Sequence, residues 1–266
     1  CNLGDEFTSY CRGMIIDLND YHKYFSITIV CIPPEKAYKF SELIPINIEY
    51  NKLVFEEFYD GTMINVWYYN YINGAKWYIS TRSRIGADCK WFSDKTFGEL
   101  FYEALDTDKL DIELLDKNIC HSFVLKHAEN RIVKKYDKSG LILVQCRNIK
   151  TLELVDLETM RISYEEAGIK VNIPEKYNFK NMEDITDHMN KLTYESQGLV
   201  IKYNNNRTKI RNQNYNFVKV IRGNTPKLFT HYLDLKKKKL IKQYLYYYPE
   251  IKPEFDEFNS NLKRMI

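Results

Sequence analysis

What this chain of 266 residues lacks narrows its reading before any motif is considered. No stretch approaches the ~18 consecutive apolar residues of a membrane-spanning helix. No apolar leader precedes the first charges either, so membrane and secretory readings are set aside. Charge of one sign is not in excess: 39 Lys and Arg face 36 Asp and Glu, for a net +3. Any binding of nucleic acid or phosphate must therefore come from local placement rather than bulk charge. The six cysteines (Cys1, Cys11, Cys31, Cys89, Cys120, Cys146) include no C-x-x-C pair and no Cys/His group at zinc spacing. That removes a structural zinc and argues against a disulfide framework, leaving free thiols as the expectation. The five histidines share no triad or metal spacing. Internal repeats and long linkers are absent too. Cys1 stands where a first methionine would, so a preceding piece is expected to be missing.

What is present suits a folded α+β protein. Hydrophobic residues make up 44% and aromatics 15%, enough for a sizeable core. Gly13 to Asp17 and Phe25 to Ile32 read as β-branched strands, the second stopped by Pro33-Pro34. Lys52 to Phe58, the turn at Tyr59-Asp60-Gly61, Met63 to Tyr71, the turn at Asn73-Gly74 and Lys76 to Ser83 read as a three-stranded meander. Further strands are expected at Phe123 to Leu125, Arg131 to Val133 and Leu141 to Cys146. Leu199 to Tyr203 and Arg207 to Arg211 form a hairpin around Asn204-Asn205-Asn206. Thr96-x-x-Glu99 and Ser163-x-x-Glu166 are capping-box patterns, and Asn181 to Leu192 has helical apolar spacing. From Leu228 onward the chain reads as helical and lysine-rich, punctuated by Pro249 and Pro253. This gives an antiparallel-rich α+β domain over residues 1–222 and a helical extension over residues 223–266.

Five short stretches occur in order: Tyr10-Cys11-Arg12-Gly13, Tyr59-Asp60-Gly61-Thr62, the eleven residues from Phe123 to Val133, Gln197-Gly-Leu-Val-Ile-Lys202, and Thr208-Lys-Ile-Arg211. Together they resemble the ATP-dependent RNA ligases of the phage tRNA-repair type, especially their relatives in large DNA viruses. The resemblance runs from about residue 10 to 222. It implies a nucleotidyltransferase (ATP-grasp-like) fold whose antiparallel sheets enclose an ATP pocket, with ATP and Mg2+ as cofactors and RNA ends or a nucleotide as partners. The family's lysine amine attacks the α-phosphate of ATP, and AMP then passes to an RNA 5′-phosphate before strand sealing.

This chain departs from that pattern where the chemistry is done. The lysine of the family's K-x-D-G signature is Phe58 here, and a phenyl ring has no lone pair to attack phosphorus. Lys52 and Lys76 are poor substitutes by position. Gln197 replaces the family's metal-associated glutamate and keeps an oxygen while losing the charge that holds a hard divalent cation. Val124 stands where some members carry another glutamate, and Glu129 and Glu195 fall out of register. The basic complement persists: the resemblance implies phosphate contacts at Arg12, Lys36, Lys209 and Arg211, with Asp60 and Gly61 in the nucleotide pocket. Lys209 and Arg211 stand two apart on one strand, hence on one face, and Lys202 joins them across the turn. A blander reading stays open at each: Asp60-Gly61 as an ordinary turn, Arg12, Lys209 and Arg211 as solvated charges. Lys236 to Lys239 reads as an exposed helix face, Trp67, Tyr68, Tyr69, Trp77 and Tyr78 as sheet packing, and His127 as a minor ligand candidate.

The functional expectation is a pseudo-ligase that binds nucleotide or RNA phosphate without self-adenylylation. The alternatives are an active ligase that joins pre-adenylylated ends or uses another lysine, and a non-enzymatic structural subunit of a viral assembly. The helical extension is a candidate protein-docking segment. A cytoplasmic or virion-associated, reducing location is expected.

Overall fold

Two antiparallel sheets face one another, with helices on their outer faces and at the C-terminal end. The computed structural model describes residues 8, 11–19, 21, 25–71, 74–91, 93–225 and 227–265. Tyr10, His22 and Asn73, each part of a motif, residue class or turn read above, lie outside them, as does Cys1. Strands β1 (Ile15–Asp17) and β2 (Thr28–Cys31) pair as a short ribbon, followed by the single turn of α1 (Phe40–Leu43). Strand β3 (Val54–Glu57) leads to β4 (Thr62–Tyr71) and β5 (Gly74–Ser80). After α2 (Phe97–Asp108) come β6 (Ile119–Lys126), β7 (Gly140–Asn148) and β8 (Leu154–Val155), then α3 (Leu157–Glu166). Strand β9 (Lys176–Tyr177), α4 (Met182–Lys191), β10 (Gly198–Tyr203) and β11 (Asn206–Arg211) complete the sheets. Four C-terminal helices follow: α5 (Gln213–Arg222), α6 (Leu228–Lys237), α7 (Ile241–Tyr247) and α8 (Lys252–Met265).

The expected α+β class with antiparallel sheets is the observed one. The expected meander is not. Strands β4 and β5 do pair as a hairpin, but β3 belongs to the four-stranded sheet β11-β10-β3-β9, whereas β4 lies in the five-stranded sheet β5-β4-β6-β7-β8. Residues 58–61 therefore cross from one sheet to the other instead of turning a hairpin. The reason is local. The Asp60 carboxylate accepts from the backbone amides of Val133 and Lys134 at 2.9 Å each. Gly61 passes so close to β6 that a Cβ there would stand 2.3 Å from the Leu125 carbonyl oxygen. The same hydrogen bonds bear on a second correction: Arg131 to Val133, expected as a strand, is irregular, and its Val133 amide bonds the Asp60 side chain instead of a ladder.

The Asn turn forms as expected, with Asn204 and Asn205 both at positive φ (47° and 62°) between β10 and β11. Thr96 and Glu99 make the reciprocal capping box at the start of α2. Ser163, by contrast, lies inside α3, whose N-cap is Asp156 accepting from the Thr159 amide at 2.9 Å. Asn181 caps α4. Pro249 opens a 3-10 turn, while Pro253 sits in the first turn of α8, where its missing N–H costs nothing. Helix α5 was not expected.

Four buried clusters hold the layers, the smallest joining Val30 and Cys31 of β2 to Trp67 and Cys120 of the five-stranded sheet. Phe101, Leu105, Phe123, Leu125 and Leu143 join α2 and α3 to the five-stranded sheet. Phe55, Ile185, Leu199 and Ile201 lie between the four-stranded sheet and α4. Tyr215, Val218 and Ile221 of α5 share a third with Tyr232, Leu235, Tyr244, Tyr248 and Phe255 of the later helices. The boundary drawn at residue 222 thus runs through one shared cluster. Trp67 and Trp77 are buried in sheet packing, against Tyr78 and Tyr68 respectively.

Candidate functional site

Period-two alternation builds the floor of a cleft between the two sheets. On the four-stranded sheet, Phe55, Leu199, Ile201 and Ile210 point away into the core cluster beneath. Their neighbours point the other way: Glu56 on β3, Val200 and Lys202 on β10, and Arg207, Lys209 and Arg211 on β11. The register sets Val200 opposite both Glu56 and Lys209, and Lys202 opposite Arg207. Phe58 continues the β3 line, its amide bonding the Gly198 carbonyl at 2.9 Å. The facing wall comes from the five-stranded sheet through Met63, Val124 and Val144. Between them lies a cavity of about 270 Å3 whose lining holds seven cationic residues and three carboxylates.

Of the residues singled out by sequence, Phe58, Asp60, Gly61, Arg12, Gln197, Lys202, Lys209 and Arg211 all line this one cavity. Lys36 does not. Its side chain is exposed, and the residue of that segment turned inward is Glu35, 2% exposed. Glu35 lies 3.5 Å from guanidinium nitrogens of both Arg147 and Arg207, and its carbonyl accepts from Arg207 Nη2 at 2.6 Å. Lys52 and Lys76 lie outside the cavity lining too, Lys52 in an ion pair with Glu49.

Sequence reasoning missed Arg82, Arg207, Lys219, Glu56 and Tyr215, which also line the cavity. Arg82 lies two residues past the end of β5. The signal for it was the Arg12-Gly13 pair: a Cβ on Gly13, at φ +87°, would meet the Arg82 backbone at 2.9 Å. That glycine lets two arginine-bearing segments lie side by side. Lys219 and Tyr215 arrive on α5, at helical spacing of four.

Two of the cations are already answered, Lys202 by Glu56 at 2.7 Å and Arg207 by Glu35. Arg12, Arg82, Lys209, Arg211 and Lys219 form no ion pair with a carboxylate among the described residues. Lys209 Nζ instead rests 4.4 Å above the Phe58 ring, with the Arg211 guanidinium 5.8 Å from the same ring. Burial, compounded by Arg207, Arg82, Arg211 and Arg12, pushes the Lys209 ammonium down to about 6. Burial beside Arg12 and Arg207 brings Arg82 down to about 10, and Lys219 is lowered chiefly by burial.

These shifts carry a sign for stability. The Lys209 amine takes up its proton near pH 6 in the folded chain and near 10.5 when unfolded, so between those values the unfolded chain binds more protons. Stability is expected to rise from pH 6 to pH 9 in denaturant titrations, and Lys209→Met should flatten that slope. An equal slope in the variant would contradict the assignment.

Asp60 is committed elsewhere. Besides the two amides, its second oxygen accepts from the Tyr215 hydroxyl at 2.7 Å, and its carbonyl accepts from Tyr136 at 2.8 Å. It ties α5 and the 132–136 segment to the sheet crossing. His127 is turned out of the cavity lining and bonds Glu103 at 3.2 Å. Glu103, His127 and Glu129 are the one set of three acidic or imidazole groups close enough for a metal among the described residues. The Lys95 ammonium already bonds both glutamates at 2.8 Å there. His121 is buried against Tyr164, and burial lowers it to about 4. The five described cysteines are free thiols, with Cys31 and Cys120 in buried contact at 3.5 Å.

The cavity suits a phosphorylated nucleoside, with apolar Met63, Val124, Val144, Pro174 and Val200 for a base and cations for the phosphates. A divalent cation fits it poorly. Gln197 and Val124 supply no charge, Glu56 is paired to Lys202, and the Asp60 oxygens are taken by protein donors.

No protein-family model matches the chain. It is 27% identical over 215 residues to a provisionally named bifunctional polynucleotide kinase/RNA ligase of Autographa californica nuclear polyhedrosis virus, covering 74% of this chain and 28% of that protein. A provisionally named RNA ligase of African swine fever virus is 25% identical over 198 residues, 63% of this chain and 40% of the relative. The chain thus spans less than half the length of these curated relatives. Among solved structures, an archaeal ATP-dependent RNA ligase superposes with a TM-score of 0.52 at 14% identity, over 95% of this chain and 77% of that one. A Naegleria gruberi RNA ligase variant with AMP and Mn gives 0.51 at 14% identity, over 69% and 57%. The chain is similar to RNA ligases of large DNA viruses, and its fold is the nucleotidyltransferase fold of ATP-dependent RNA ligases.

Proposed function

We propose that the cleft binds the phosphate-bearing end of a nucleotide or an RNA, and that the chain is a ligase-type domain without self-adenylylation. The observation that carries this reading is the pairing of Phe58 with the cation cluster. The position that would furnish the attacking amine holds an aromatic ring, and that ring is packed beneath Lys209 and Arg211. Phosphate recognition needs fixed positive charge and a shielded pocket, both of which are present, whereas phosphoramidate formation needs a lone pair on nitrogen at the α-phosphorus.

Binding of 5′-phosphorylated RNA, measured by fluorescence anisotropy, is expected to weaken with rising salt. Lys209→Ala should lower affinity about tenfold and reduce the salt slope by roughly one unit. Affinity indifferent to both would place the phosphate elsewhere.

A second reading, an active ligase using another lysine, has one observation in its favour. Lys209 is a half-buried amine held near neutrality over Phe58. Incubation with α-labelled ATP and magnesium separates the two: an unlabelled chain is expected, and a covalent adenylate mapped to Lys209 would favour the second.

A further inference from the structure

We propose that the cleft takes its polyphosphate as the metal-free anion, so that Arg12, Arg82, Lys209, Arg211 and Lys219 do the neutralising work of a divalent cation and magnesium competes with the protein for the ligand. This rests on the phosphate-binding reading above and narrows it to an unchelated triphosphate end.

The donor set supports it first. A hard divalent cation bound between protein and phosphate needs charged oxygens free to turn toward it. Glu56 is held by the Lys202 ammonium at 2.7 Å. Asp60 accepts three hydrogen bonds from Val133, Lys134 and Tyr215. Glu35 lies under two arginines at 2% exposure. Glu57 is the carboxylate of the lining left over, it is hydrogen-bonded by Tyr59, and one carboxylate does not make a site.

The charge balance supports it second. Arg12, Arg82, Arg211 and Lys219 converge with the Lys209 amine on the cavity without a carboxylate partner among the described residues, which leaves a field suited to a highly charged anion. Chelation by magnesium cancels part of that anion's charge and occupies the oxygens that arginine forks would grip.

Phe58 supports it third. Its ring face holds Lys209 at 4.4 Å and Arg211 at 5.8 Å, so it acts as a platform for the cations, where a lysine would be one more repelling charge. Burial, and after it the neighbouring cations, disfavours the Lys209 ammonium; an entering anion opposes the field of those cations, so the amine gains charge as the ligand binds.

The test is calorimetric titration of the full chain with inorganic triphosphate at constant ionic strength, in EDTA and then with magnesium in excess over ligand. Binding in EDTA that weakens about tenfold with magnesium is expected, the loss of roughly one charge-assisted contact. In Val124→Glu/Gln197→Glu, whose folding is checked by circular dichroism, magnesium is expected to strengthen binding instead. Binding by the native chain that requires magnesium, or ignores it, overturns the inference while leaving phosphate recognition intact. Absence of binding in both conditions overturns phosphate recognition itself.

Discussion

Asp60→Ala is expected to destabilise the fold by about 3–5 kcal/mol, because three donors, two of them buried, lose their acceptor at once. The amides of Val133 and Lys134 and the hydroxyl of Tyr215 all bond this carboxylate, leaving the Tyr136 hydroxyl on the Asp60 carbonyl as the remaining hydrogen bond to this residue. Tyr215 is fully buried, so water cannot replace the lost partner without opening the cluster beneath α5. In thermal unfolding this corresponds to a drop of roughly 8–15 °C for a chain of this size. Asp60→Asn should cost much less. Its remaining oxygen can accept from both amides, and the Tyr215 hydroxyl can rotate to accept from the new NH2. Equal losses in the two variants would mean that charge, and not hydrogen bonding, holds this junction. In Asp60→Ala the cleft should lose phosphate affinity as well, since Lys219 stands on the helix that Asp60 anchors.

The second large effect is a gain. Phe58→Lys alone is expected to give at most trace labelling with α-labelled ATP, whereas Phe58→Lys with Val124→Glu and Gln197→Glu should label at least about 100-fold more. The single substitution adds an amine to a field of Arg12, Arg82, Lys209 and Arg211 without the carboxylates that would hold magnesium beside the α-phosphate. Its charge would raise repulsion and displace Lys209 from its aromatic support. Restoring the two acids gives the cation a place to bind, so the three substitutions act as one catalytic unit. Full labelling by Phe58→Lys alone would show that the missing acids are no obstacle. That result would also undermine the metal-free anion site.

Much of the site was legible before any coordinates because short polar motifs survive as strings. Lys209 and Arg211 could be placed on one face from their spacing, and β11 presents them so. The Asn turn and the Thr96 capping box were equally readable, since both are set by residues adjacent in the chain. The failures have a common cause. Asp60-Gly61 looked like a hairpin turn because D-G is favoured there, yet its conformation is governed by amides 73 and 74 positions away and by the Leu125 carbonyl. Arg131 to Val133 looked like a strand, but its Val133 amide bonds that same carboxylate. Lys36 looked like the working residue of its segment until Glu35, its neighbour, proved to be the one turned inward.

The sequence by itself determined that the chain forms an antiparallel α+β nucleotidyltransferase fold, that no amine stands at position 58, and that Gln197 and Val124 carry no charge. These are facts of residue identity and order, and side-chain chemistry needs no coordinates to be read. Only the tertiary structure decided which cations are spent and which are free. Lys202 and Arg207 could be told from Lys209 and Arg211 only once Glu56 and Glu35 were seen beside them. The physical reason is that electrostatic pairing depends on distance in space, and in this fold each decisive pair is closed by segments more than a hundred residues apart.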